Sequence, residues 1–415
     1  EGEVPAVWAV DSMTLEVERE LERNSTRSCS RQRQPSEPEV STHQFGFDAV
    51  FNPGSQAEIF QDCRDLIQSV FDGYNATIFA YGQTGAGKTH TLLGSPEEPG
   101  LAPQLIREIF SLISRESDRF HHQVTAQMLE LYRNELVDLL DDTVKKVSIR
   151  TDLERGVQME NALVVTCSNE GELSDVLQRG LMFRTTAATA MNSESSRSHL
   201  ICTVTIVSVN RETGEEIWGK VQIVDLAGSE RLKKSLAMGD RQKEAIDINR
   251  SLTALGDVIE ALTQGHRAVP YRNHKLTQVL QDALGNSAKT LMFVNCAATR
   301  SNVDETLASL RYAARVKRVP GPPTPRGGDV AAQGSGAARP RASLSSGPST
   351  STPRRSLTPT RSPWIACGAP LSRNTTTGGS SASSCARSSS RTAAPSARGF
   401  TRIPPPPPRS AGTPP

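Results

Sequence analysis

Residues 82–89 read Gly-Gln-Thr-Gly-Ala-Gly-Lys-Thr, which is a complete phosphate-binding loop of the form G-x-x-x-x-G-K-[ST]. The apolar run Ala76–Tyr81 before it has the length of a strand, and His90–Leu93 after it continues without glycine or proline, as a helix would. Glycines in such a loop let backbone N–H groups approach phosphate oxygens closely. The lysine supplies a positive charge, and the last hydroxyl is placed for Mg²⁺. The sequence therefore predicts a site for a nucleoside triphosphate.

The composition changes near residue 320. Before that point the sequence is typical of a globular protein, whereas residues 321–415 contain 12 arginines, no lysine, one acid and very few large apolar residues. The net charge is about +11 in this tail and about −9 in the remainder. Such a tail buries too little apolar surface to offset its chain entropy, so we predict that residues 320–415 are disordered. The charge asymmetry is typical of an interaction arm.

Several classes of protein are disfavoured by the same sequence. The seven cysteines show no C-x-x-C pairing, so neither a zinc site nor a disulfide framework is predicted. No apolar stretch approaches the roughly 18 residues of a membrane span, and the acidic start does not resemble a signal peptide. We therefore expect a protein of the cytoplasm that contacts no membrane.

Strand-like and helix-like segments alternate through the globular part. Strands are predicted at Ala76–Tyr81, Val124–Leu131, Leu200–Val209, Val221–Val224 and Thr290–Asn295. Helices are predicted at Gln56–Val70, Pro103–Arg115, Ser174–Thr185, Gln242–Ile248, Ser251–Leu262, His274–Leu284 and Val303–Arg315. This order predicts an α/β fold of the P-loop NTPase kind, a three-layer sandwich whose mostly parallel central sheet has helices on both faces. Ligands of such sheets bind at the carboxyl ends of the strands, where the phosphate loop falls.

Two further segments have side chains suited to nucleotide chemistry. The predicted strand Val221–Val224 ends in Asp225-Leu226-Ala227-Gly228-Ser229-Glu230, and an acidic residue in that place is the usual second partner of Mg²⁺. Gly228 leaves room for the backbone to approach a γ-phosphate. Upstream, Asn192-Ser193-Glu194-Ser195-Ser196-Arg197-Ser198-His199 places hydroxyls, a guanidinium and an imidazole within eight residues. Standing alone, that segment could equally be a solvated serine-rich loop.

Together the three segments resemble the phosphate loop, switch I and switch II of the kinesin motor domain. Further matches in the family's order lie at Phe47–Phe51, Gly73–Asn75, Ile248–Leu252, Tyr271–Thr277 and Leu310–Ala313. The resemblance covers about residues 45–318. It is greatest to the minus-end-directed class with C-terminal motors, of the kinesin-like calmodulin-binding protein type. It implies a divergent N-terminal segment at 1–44, a motor domain at 45–319 and the tail at 320–415.

The resemblance implies ATP and Mg²⁺ as ligands and assigns residues to them. The nucleotide would be bound by Gly82, Gln83, Thr84, Gly85, Ala86, Gly87, Lys88, Thr89 and His90, the last being placed like the residue that stacks on adenine. Mg²⁺ would be held by Thr89, Ser196 and Asp225. The catalytic residues would be Lys88, Asn192, Ser195, Arg197, Gly228 and Glu230. Among them, Arg197 and Glu230 would form a salt bridge that closes the two switches.

The resemblance also implies the microtubule as a partner and the cytoskeleton as a location. Because tubulin has an acidic surface, the protein needs a local basic face. The expected contacts are Lys233, Lys234, Lys243, Arg250, Tyr271, Arg272 and Lys275. Arg250 is expected at the start of the helix that comes after switch II, which would couple phosphate sensing to track affinity.

Other partner predictions are more general. Homodimerisation would use a helical neck outside this sequence, and no specific nucleic-acid partner is predicted. The five consecutive prolines in Ile403–Arg409 could form a polyproline II ligand for an SH3- or WW-type domain.

The N-terminal region departs from the family pattern. Kinesin motor domains begin with a strand that ends in Arg-x-Arg-Pro, and residues 1–45 contain no such segment. The chain is therefore expected to start just after that strand, since Val7–Asp11 resembles the segment that succeeds the strand in the family. An unfilled strand position would leave the edge of a neighbouring strand unpaired.

The sequence predicts microtubule-stimulated ATP hydrolysis that drives movement along microtubules, toward the minus end. The alternative is a non-motile, nucleotide-regulated microtubule-binding protein, which the missing first strand favours. An unrelated ATPase or GTPase is disfavoured, because no guanine-specifying N-K-x-D segment is present.

Overall fold

The computed structural model describes residues 5–20, 40–320 and 365–368, apart from gaps at 53, 142, 144–145, 153–155, 192–194, 231–239 and 285–287. The side chains of residues 187–191, 195, 240–246 and 365–368 are also outside the described part. Across these ranges, no helix is both long enough and apolar enough to cross a lipid bilayer.

Helices separate single strands and groups of strands along the chain. The strands are β1 Val7–Ala9, β2 Thr14–Glu20, β3 Val40–Gly46, β4 Ala49–Phe51, β5 Asn75–Tyr81, β6 Phe120–Tyr132, β7 Glu135–Asp138, β8 Ser148–Asp152, β9 Gly156–Glu160, β10 Val165–Cys167, β11 His199–Asn210, β12 Glu216–Asp225, β13 Ala288–Asn295 and β14 Ile365–Gly368. The α-helices are α1 Gln56–Phe71, α2 Lys88–Leu93, α3 Leu101–Glu116, α4 Glu170–Met191, α5 Asp240–Thr263, α6 Lys275–Val279, α7 Gln281–Leu284 and α8 Val303–Val316.

The central sheet has the order β10-β6-β11-β12-β5-β13-β14-β4, with β7 paired to β6. The pairs from β12 through β5, β13 and β14 to β4 are parallel. The pairs of β6 with β7, β10 and β11, and of β11 with β12, are antiparallel. The sheet is therefore mixed, which corrects the prediction of a mostly parallel one. The reason is local, because the short connection 211–215 can join β11 and β12 only as antiparallel neighbours.

Helices cover both faces of this sheet, as predicted. Phe79 and Tyr81 of β5 belong to the hydrophobic cluster formed with α5, α6, α7 and α8. Ile78 and Ala80, the alternate residues of β5, belong to the cluster formed with α1, α2, α3 and α4. Successive side chains of a strand point to opposite faces, so one apolar strand contributes to two cores. The phosphate loop consequently leaves the sheet from the end of a buried strand.

Helix α1 has a sequence-encoded start. Ser55 and Glu58 form a capping box, in which Ser55 Oγ accepts from the Glu58 N–H at 3.2 Å and Glu58 Oε2 accepts from the Ser55 N–H at 2.8 Å. Ile59, Cys63 and Ile67 recur at the spacing of one helical face and are buried. The helix ends at Phe71, just before Gly73 with its φ of 90°.

Two helix predictions need correction. The predicted helices Gln242–Ile248 and Ser251–Leu262 form a single helix, α5, so Arg250 lies inside it and does not open a new one. Ser251 Oγ donates to the Ile248 carbonyl oxygen at 2.7 Å, which satisfies the hydroxyl within the helix and provides no new cap. The predicted helix His274–Leu284 is instead two short helices, α6 and α7, which meet at Leu280.

The first strands pack with the rest of the chain. β1, β2 and β3 form a small antiparallel sheet, whose Val7, Leu15 and Val17 belong to the same hydrophobic cluster as Val316 of α8. The Ala6 N–H also donates to the Ala298 carbonyl oxygen at 2.7 Å. Strand residues on both sides of residue 45 therefore share one core.

A short strand from the tail completes the sheet. Ile365–Gly368 pairs in parallel with β13 on one side and with β4 on the other. The predicted disorder of residues 320–415 therefore does not hold for these four residues, since both neighbouring strands offer backbone hydrogen-bonding groups.

Candidate functional site

The phosphate loop runs from the end of β5 to the start of α2. Gly82 has φ 149° and lies against β13, where a Cβ atom would come within 2.1 Å of the Asn295 carbonyl oxygen. Gly85 and Gly87 have φ 80° and 97°, in the left-handed region that favours glycine. The loop conformation therefore depends on glycine for two reasons, close packing at Gly82 and positive φ at the other two.

Lys88 is folded back onto the phosphate loop. Its Nζ donates to the carbonyl oxygens of Gly82 and Gln83, each at 2.9 Å, and its side chain is buried. Burial lowers the pKa of the Lys88 amine, while the carboxylates of Asp225 and Glu230 act in the opposite direction. A positive charge is thus held inside the loop beside two carboxylates.

The carboxylate of switch II lies beside the last residue of the loop. β12 is parallel to β5 with Asp225 opposite Ala80, so Asp225 reaches the same edge of the sheet as the loop. Thr89 Oγ1 donates to Asp225 Oδ2 at 2.6 Å. Burial raises the pKa of the Asp225 carboxyl, against the effects of the Thr89 hydroxyl and the Arg184 and Lys88 cations.

This pair fits a hard divalent cation. Asp225 Oδ1 is buried and has no hydrogen-bond partner among the described residues. An unpartnered buried carboxylate oxygen is costly, and oxygen ligands of this kind are what Mg²⁺ prefers. The predicted partners Thr89 and Asp225 are therefore together, and Ser196 is half-buried in a 3₁₀ turn, Ser195–Arg197, that precedes β11.

Backbone hydrogen bonds join the two switches to the loop. The Gly228 N–H donates to the Ser196 carbonyl oxygen at 2.9 Å, and the Ser229 N–H donates to the Gly82 carbonyl oxygen at 3.0 Å. A Cβ on Gly228 would lie 2.3 Å from Glu230 Oε2 and 2.4 Å from Thr84 Oγ1. A side chain at position 228 would therefore displace the Glu230 carboxylate or the Thr84 hydroxyl from its present place.

Glu230 contacts the phosphate loop itself. Its Oε2 accepts from the Thr84 N–H at 2.8 Å and its Oε1 accepts from Thr84 Oγ1 at 2.6 Å. The salt bridge of Glu230 with Arg197 stays a prediction. Backbone N–H groups of a phosphate loop attract an anionic oxygen, and Glu230 supplies one to Thr84.

A buried ion-pair network behind switch I was not predicted from the sequence. Arg184 of α4 donates from Nε to Glu130 Oε1 at 3.0 Å and from Nη2 to the Ser198 carbonyl oxygen at 3.2 Å. Its Nη1 lies 3.9 Å from Asp225 Oδ2, and Ser198 Oγ donates to Glu130 Oε1. The available signal was a charged residue, Glu130, inside an apolar strand, because a buried charge requires a partner.

His199 connects switch II to helix α5. The Ala227 N–H donates to Nδ1 at 3.0 Å, so the neutral ring has its proton on Nε2, which donates to Ser251 Oγ at 2.8 Å. Burial, with further contributions from His274, Arg184 and Lys88, lowers the pKa of His199 to about 3. The imidazole is therefore neutral at ordinary pH. Its two hydrogen bonds, with the Ala227 N–H and with Ser251 Oγ, select the tautomer that has its proton on Nε2.

The predicted adenine contact, His90, is exposed at the start of α2. Gln56 Nε2 donates to the His90 carbonyl oxygen at 2.7 Å and lies 3.1 Å from His90 Nδ1. The first residue of α1 therefore fixes this imidazole beside the loop.

The described predicted microtubule contacts lie on three elements that pack together, α5, the 3₁₀ turn Tyr271–Asn273 and α6. Arg250 is exposed on α5, and Tyr271 and Arg272 form a 3₁₀ turn just before Lys275 of α6. Lys275 is tied to the β6–β7 turn, because its N–H donates to Asn134 Oδ1 at 3.0 Å. Three predicted residues lie outside the described residues, namely Asn192, Lys233 and Lys234. For Lys243 and Ser195, the described part includes the backbone alone.

Comparison with protein families and curated proteins gives consistent results. A family model described as the kinesin motor domain matches residues 10–319. Kinesin-like protein KIN-14E of Arabidopsis thaliana is 49% identical over 282 residues, which cover 67% of this chain and 22% of the relative. Kinesin-like protein KIN-14I of Oryza sativa subsp. japonica is 49% identical over 275 residues, which cover 65% of this chain and 22% of the relative. The chain thus spans 22% of the length of these two relatives.

Solved structures of similar chains share this fold. One is the structure of a fast kinesin, with implications for its ATPase mechanism and its interactions with microtubules, which has a TM-score of 0.68 and 36% sequence identity to this chain. The match covers 77% of this chain and 87% of the fast kinesin chain. The C-terminal motor and motor homology domain of Kar3Vik1, fused to a synthetic heterodimeric coiled coil, has a TM-score of 0.65 and 36% sequence identity to this chain. The match covers 75% of this chain and 79% of the Kar3Vik1 chain.

Proposed function

The chain belongs to the kinesin motor family, and from this premise we propose that it hydrolyses ATP in a microtubule-stimulated reaction and moves along microtubules toward their minus ends. The observation that carries the proposal is the convergence of three separated segments, the phosphate loop, switch I and switch II. Thr89 contacts Asp225, Gly228 contacts Ser196, and Glu230 contacts Thr84. Such convergence is what an enzyme of phosphoryl transfer needs, since it works mainly by positioning and charge stabilisation.

The binding roles divide among loop residues. Gly82 to Thr89 would surround the phosphates of ATP, Lys88 would neutralise their charge, and His90 would lie against the adenine. Mg²⁺, held by Thr89, Ser196 and Asp225, would neutralise charge on the phosphate oxygens. Two observations support this assignment. Asp225 Oδ1 is buried without a hydrogen-bond partner among the described residues, and Thr89 Oγ1 contacts the other oxygen of the same carboxylate.

The hydrolytic roles belong to the switches. Asn192 and the main chain of Ser195 would orient the attacking water, and Gly228 would approach the γ-phosphate through its backbone. Glu230 would leave Thr84 and pair with Arg197 when the switches close, and would then accept a proton relayed from that water. A side chain with two alternative partners is a bistable element of the kind that nucleotide switches use.

Coupling to the track would pass through α5. His199 joins the Ala227 backbone of switch II to Ser251 of α5, and Arg250 on the same helix is exposed for tubulin. Lys233, Lys234, Lys243, Tyr271, Arg272 and Lys275 would extend this basic face. A shift of switch II would therefore alter the orientation of residues that bind the microtubule. Dimerisation through a neck and binding of an SH3- or WW-type domain by the tail stay predictions.

A gliding assay distinguishes a motor from a non-motile binder. The chain is attached to a surface, and polarity-marked microtubules are added with ATP, beside a Lys88→Ala control that lacks the loop charge. A minus-end-directed motor moves each microtubule with its plus end leading. Nucleotide-dependent attachment without movement would establish the alternative, a non-motile microtubule-binding protein.

A further inference from the structure

Three neighbouring strands of the central sheet place two carboxylates on one face and at one level. Leu200 of β11 lies opposite Glu130 of β6 on one side and opposite Asp225 of β12 on the other. Residues opposite each other on neighbouring strands point to the same face, which at Leu200 is the face covered by α1, α2, α3 and α4. Two strand spacings, about 10 Å, separate the backbones of Glu130 and Asp225. A cation that serves both carboxylates must come from the helices on this face.

Helix α4 supplies that cation as Arg184. The side chains of Arg184, Glu130 and Asp225 are 6%, 15% and 5% exposed, so water solvates none of these charges well. Arg184 Nε donates to Glu130 Oε1 at 3.0 Å, and Nη2 donates to the carbonyl oxygen of Ser198 at 3.2 Å and to its Oγ at 3.1 Å. These three hydrogen bonds fix the guanidinium in position and orientation.

Asp225 is held less closely by this guanidinium than Glu130 is. Its Oδ2 lies 3.9 Å from Arg184 Nη1, which is an ion-pair distance beyond the range of a hydrogen bond. The same oxygen accepts from Thr89 Oγ1 at 2.6 Å, whereas Oδ1 is buried and has no hydrogen-bond partner among the described residues. The guanidinium thus attracts the carboxylate and leaves Oδ1 available to a metal ion.

The same guanidinium holds the point at which switch I enters the sheet. Ser198 comes directly after the 3₁₀ turn Ser195–Arg197 and directly before β11, and its Oγ donates to Glu130 Oε1. A lysine would supply the positive charge, but a single ammonium on a flexible stem does not present separate nitrogens in a fixed plane to three groups. The geometry therefore calls for arginine at position 184.

We propose that Arg184 is a positioning residue of the Mg²⁺ site, which holds the Asp225 carboxylate and, through Ser198, the end of switch I in place for the cation. Glu130 in turn holds Arg184. The guanidinium acts through these groups and is not itself a ligand. Residues that orient the ligands of a metal in this way contribute about 10- to 100-fold to metal affinity. This inference rests on the proposed function, since it concerns the Mg²⁺ that accompanies the nucleotide.

Nucleotide binding by the full chain tests this role separately from turnover. The affinity for a fluorescent ADP analogue is measured in EDTA and over a series of Mg²⁺ concentrations. Arg184→Met alone leaves Glu130 buried and unpaired, so the double variant Arg184→Met with Glu130→Gln, which removes both charges, is measured beside it. Lys220→Met with Asp282→Leu is the matched control, because it removes another buried ion pair, at the opposite end of the β12–β5 pairing from Asp225.

The Mg²⁺ concentration that gives half of the gain in affinity should rise about 10- to 100-fold in the double variant, with the affinity in EDTA within about twofold of the unmodified chain. The control should keep both values. An unchanged Mg²⁺ requirement overturns the inference. An equal loss of affinity with and without Mg²⁺ also overturns it, because that is the pattern of general structural damage. If the unmodified chain does not bind the analogue at all, the proposed function itself is overturned.

Discussion

Glu230 accepts two hydrogen bonds from Thr84, so a carboxylate lies on the loop that is proposed to bind phosphate. The N–H group that it uses would otherwise be available to an anionic ligand. The proposed reaction therefore requires Glu230 to exchange partners. That requirement comes from one side chain and its two hydrogen bonds, and single substitutions can test it.

Glu230→Ala should abolish most microtubule-stimulated turnover while ATP binding persists. The variant loses the proposed proton acceptor, whose contribution is about 100-fold or more for a positioned acid–base group. Steady-state phosphate release and binding of a fluorescent ATP analogue measure the two properties. Glu215→Ala, at an exposed glutamate of the β11–β12 turn, is the control and should behave as the unmodified chain. Unchanged turnover in Glu230→Ala would remove Glu230 from the mechanism.

The buried imidazole of His199 predicts a loss of stability in acid. Its pKa is lowered from 6.5 to about 3, so the unfolded chain binds more protons than the folded one below pH 6.5. Stability is therefore fully present above pH 6.5 and falls as the pH falls toward 3. The slope for this one residue reaches about 1.4 kcal/mol per pH unit.

Urea unfolding at pH 7.5, 6.5 and 5.5 measures the effect. The free energy of unfolding should fall below pH 6.5, and His199→Gln should lower that slope. His266→Gln, at an exposed histidine after α5, is the matched control and should keep it. Equal slopes in the unmodified chain and in His199→Gln would show that another group causes the acid sensitivity.

At the scale of elements, the hairpin β8–β9 is anchored to the sheet by one buried ion pair. Lys220 Nζ of β12 donates to Asp282 Oδ2 of α7 at 2.8 Å, and the same oxygen accepts from the Val157 N–H at 2.6 Å. The side chains are 10% and 13% exposed, so neither charge is well solvated. Removal of one partner would leave the other buried and unpaired.

Asp282→Ala should therefore lower the free energy of unfolding by about 3–5 kcal/mol. The double variant Lys220→Met with Asp282→Leu should recover most of that loss, because it removes both charges. Glu160→Ala breaks the exposed Arg150–Glu160 pair of the same hairpin and should cost less than about 1 kcal/mol. Equal costs for Asp282→Ala and Glu160→Ala in urea unfolding would contradict the anchoring role.

The presence of a strand or helix was easier to predict from the sequence than whether two neighbouring helical segments form one continuous helix. The five predicted strands and the helices at Gln56–Val70, Pro103–Arg115 and Val303–Arg315 are all present, because each has a strong apolar pattern. The continuity of α5 was missed, since Asn-Arg-Ser reads as a helix start while tertiary packing and the Ser251–Ile248 hydrogen bond keep the helix intact.

Contacts between distant residues were the least predictable part of the site. Sequence motifs placed Thr89 and Asp225 on one cation, and the two side chains are in contact. The Arg184–Glu130 pair and the Glu230–Thr84 contact depend on how α4, β6 and switch II meet in space. Side chains separated by 54 and 146 residues have no local signal of their pairing.

At the scale of the whole molecule, an acidic globule that is proposed to bind the acidic microtubule surface would need a local basic face. The exposed Arg250 and Arg272 and the half-buried Lys275 lie on elements that pack together, α5, the turn at 271–273 and α6. Charge pairs at such a surface weaken as salt increases, because the Debye length is about 8 Å at physiological ionic strength.

The triple variant Arg250→Ala, Arg272→Ala and Lys275→Ala should weaken microtubule binding about tenfold at low salt. Three exposed charge pairs together contribute roughly 1–2 kcal/mol, and 1.4 kcal/mol is tenfold. Co-sedimentation with a non-hydrolysable ATP analogue at several salt concentrations measures affinity and its salt dependence. Arg107→Ala, Arg119→Ala and Arg211→Ala remove three exposed arginines elsewhere and are the control. Equal weakening in both sets would place the binding face elsewhere.

The measurement that tests the central claim most directly is steady-state ATP hydrolysis by the chain, with and without polymerised microtubules. Lys88→Ala serves as the background, because it removes the charge held inside the loop. The convergence of both switches on the phosphate loop predicts that microtubules stimulate hydrolysis about tenfold or more, a change of about 1.4 kcal/mol in the barrier. Bound microtubules with turnover no higher than in Lys88→Ala would contradict it.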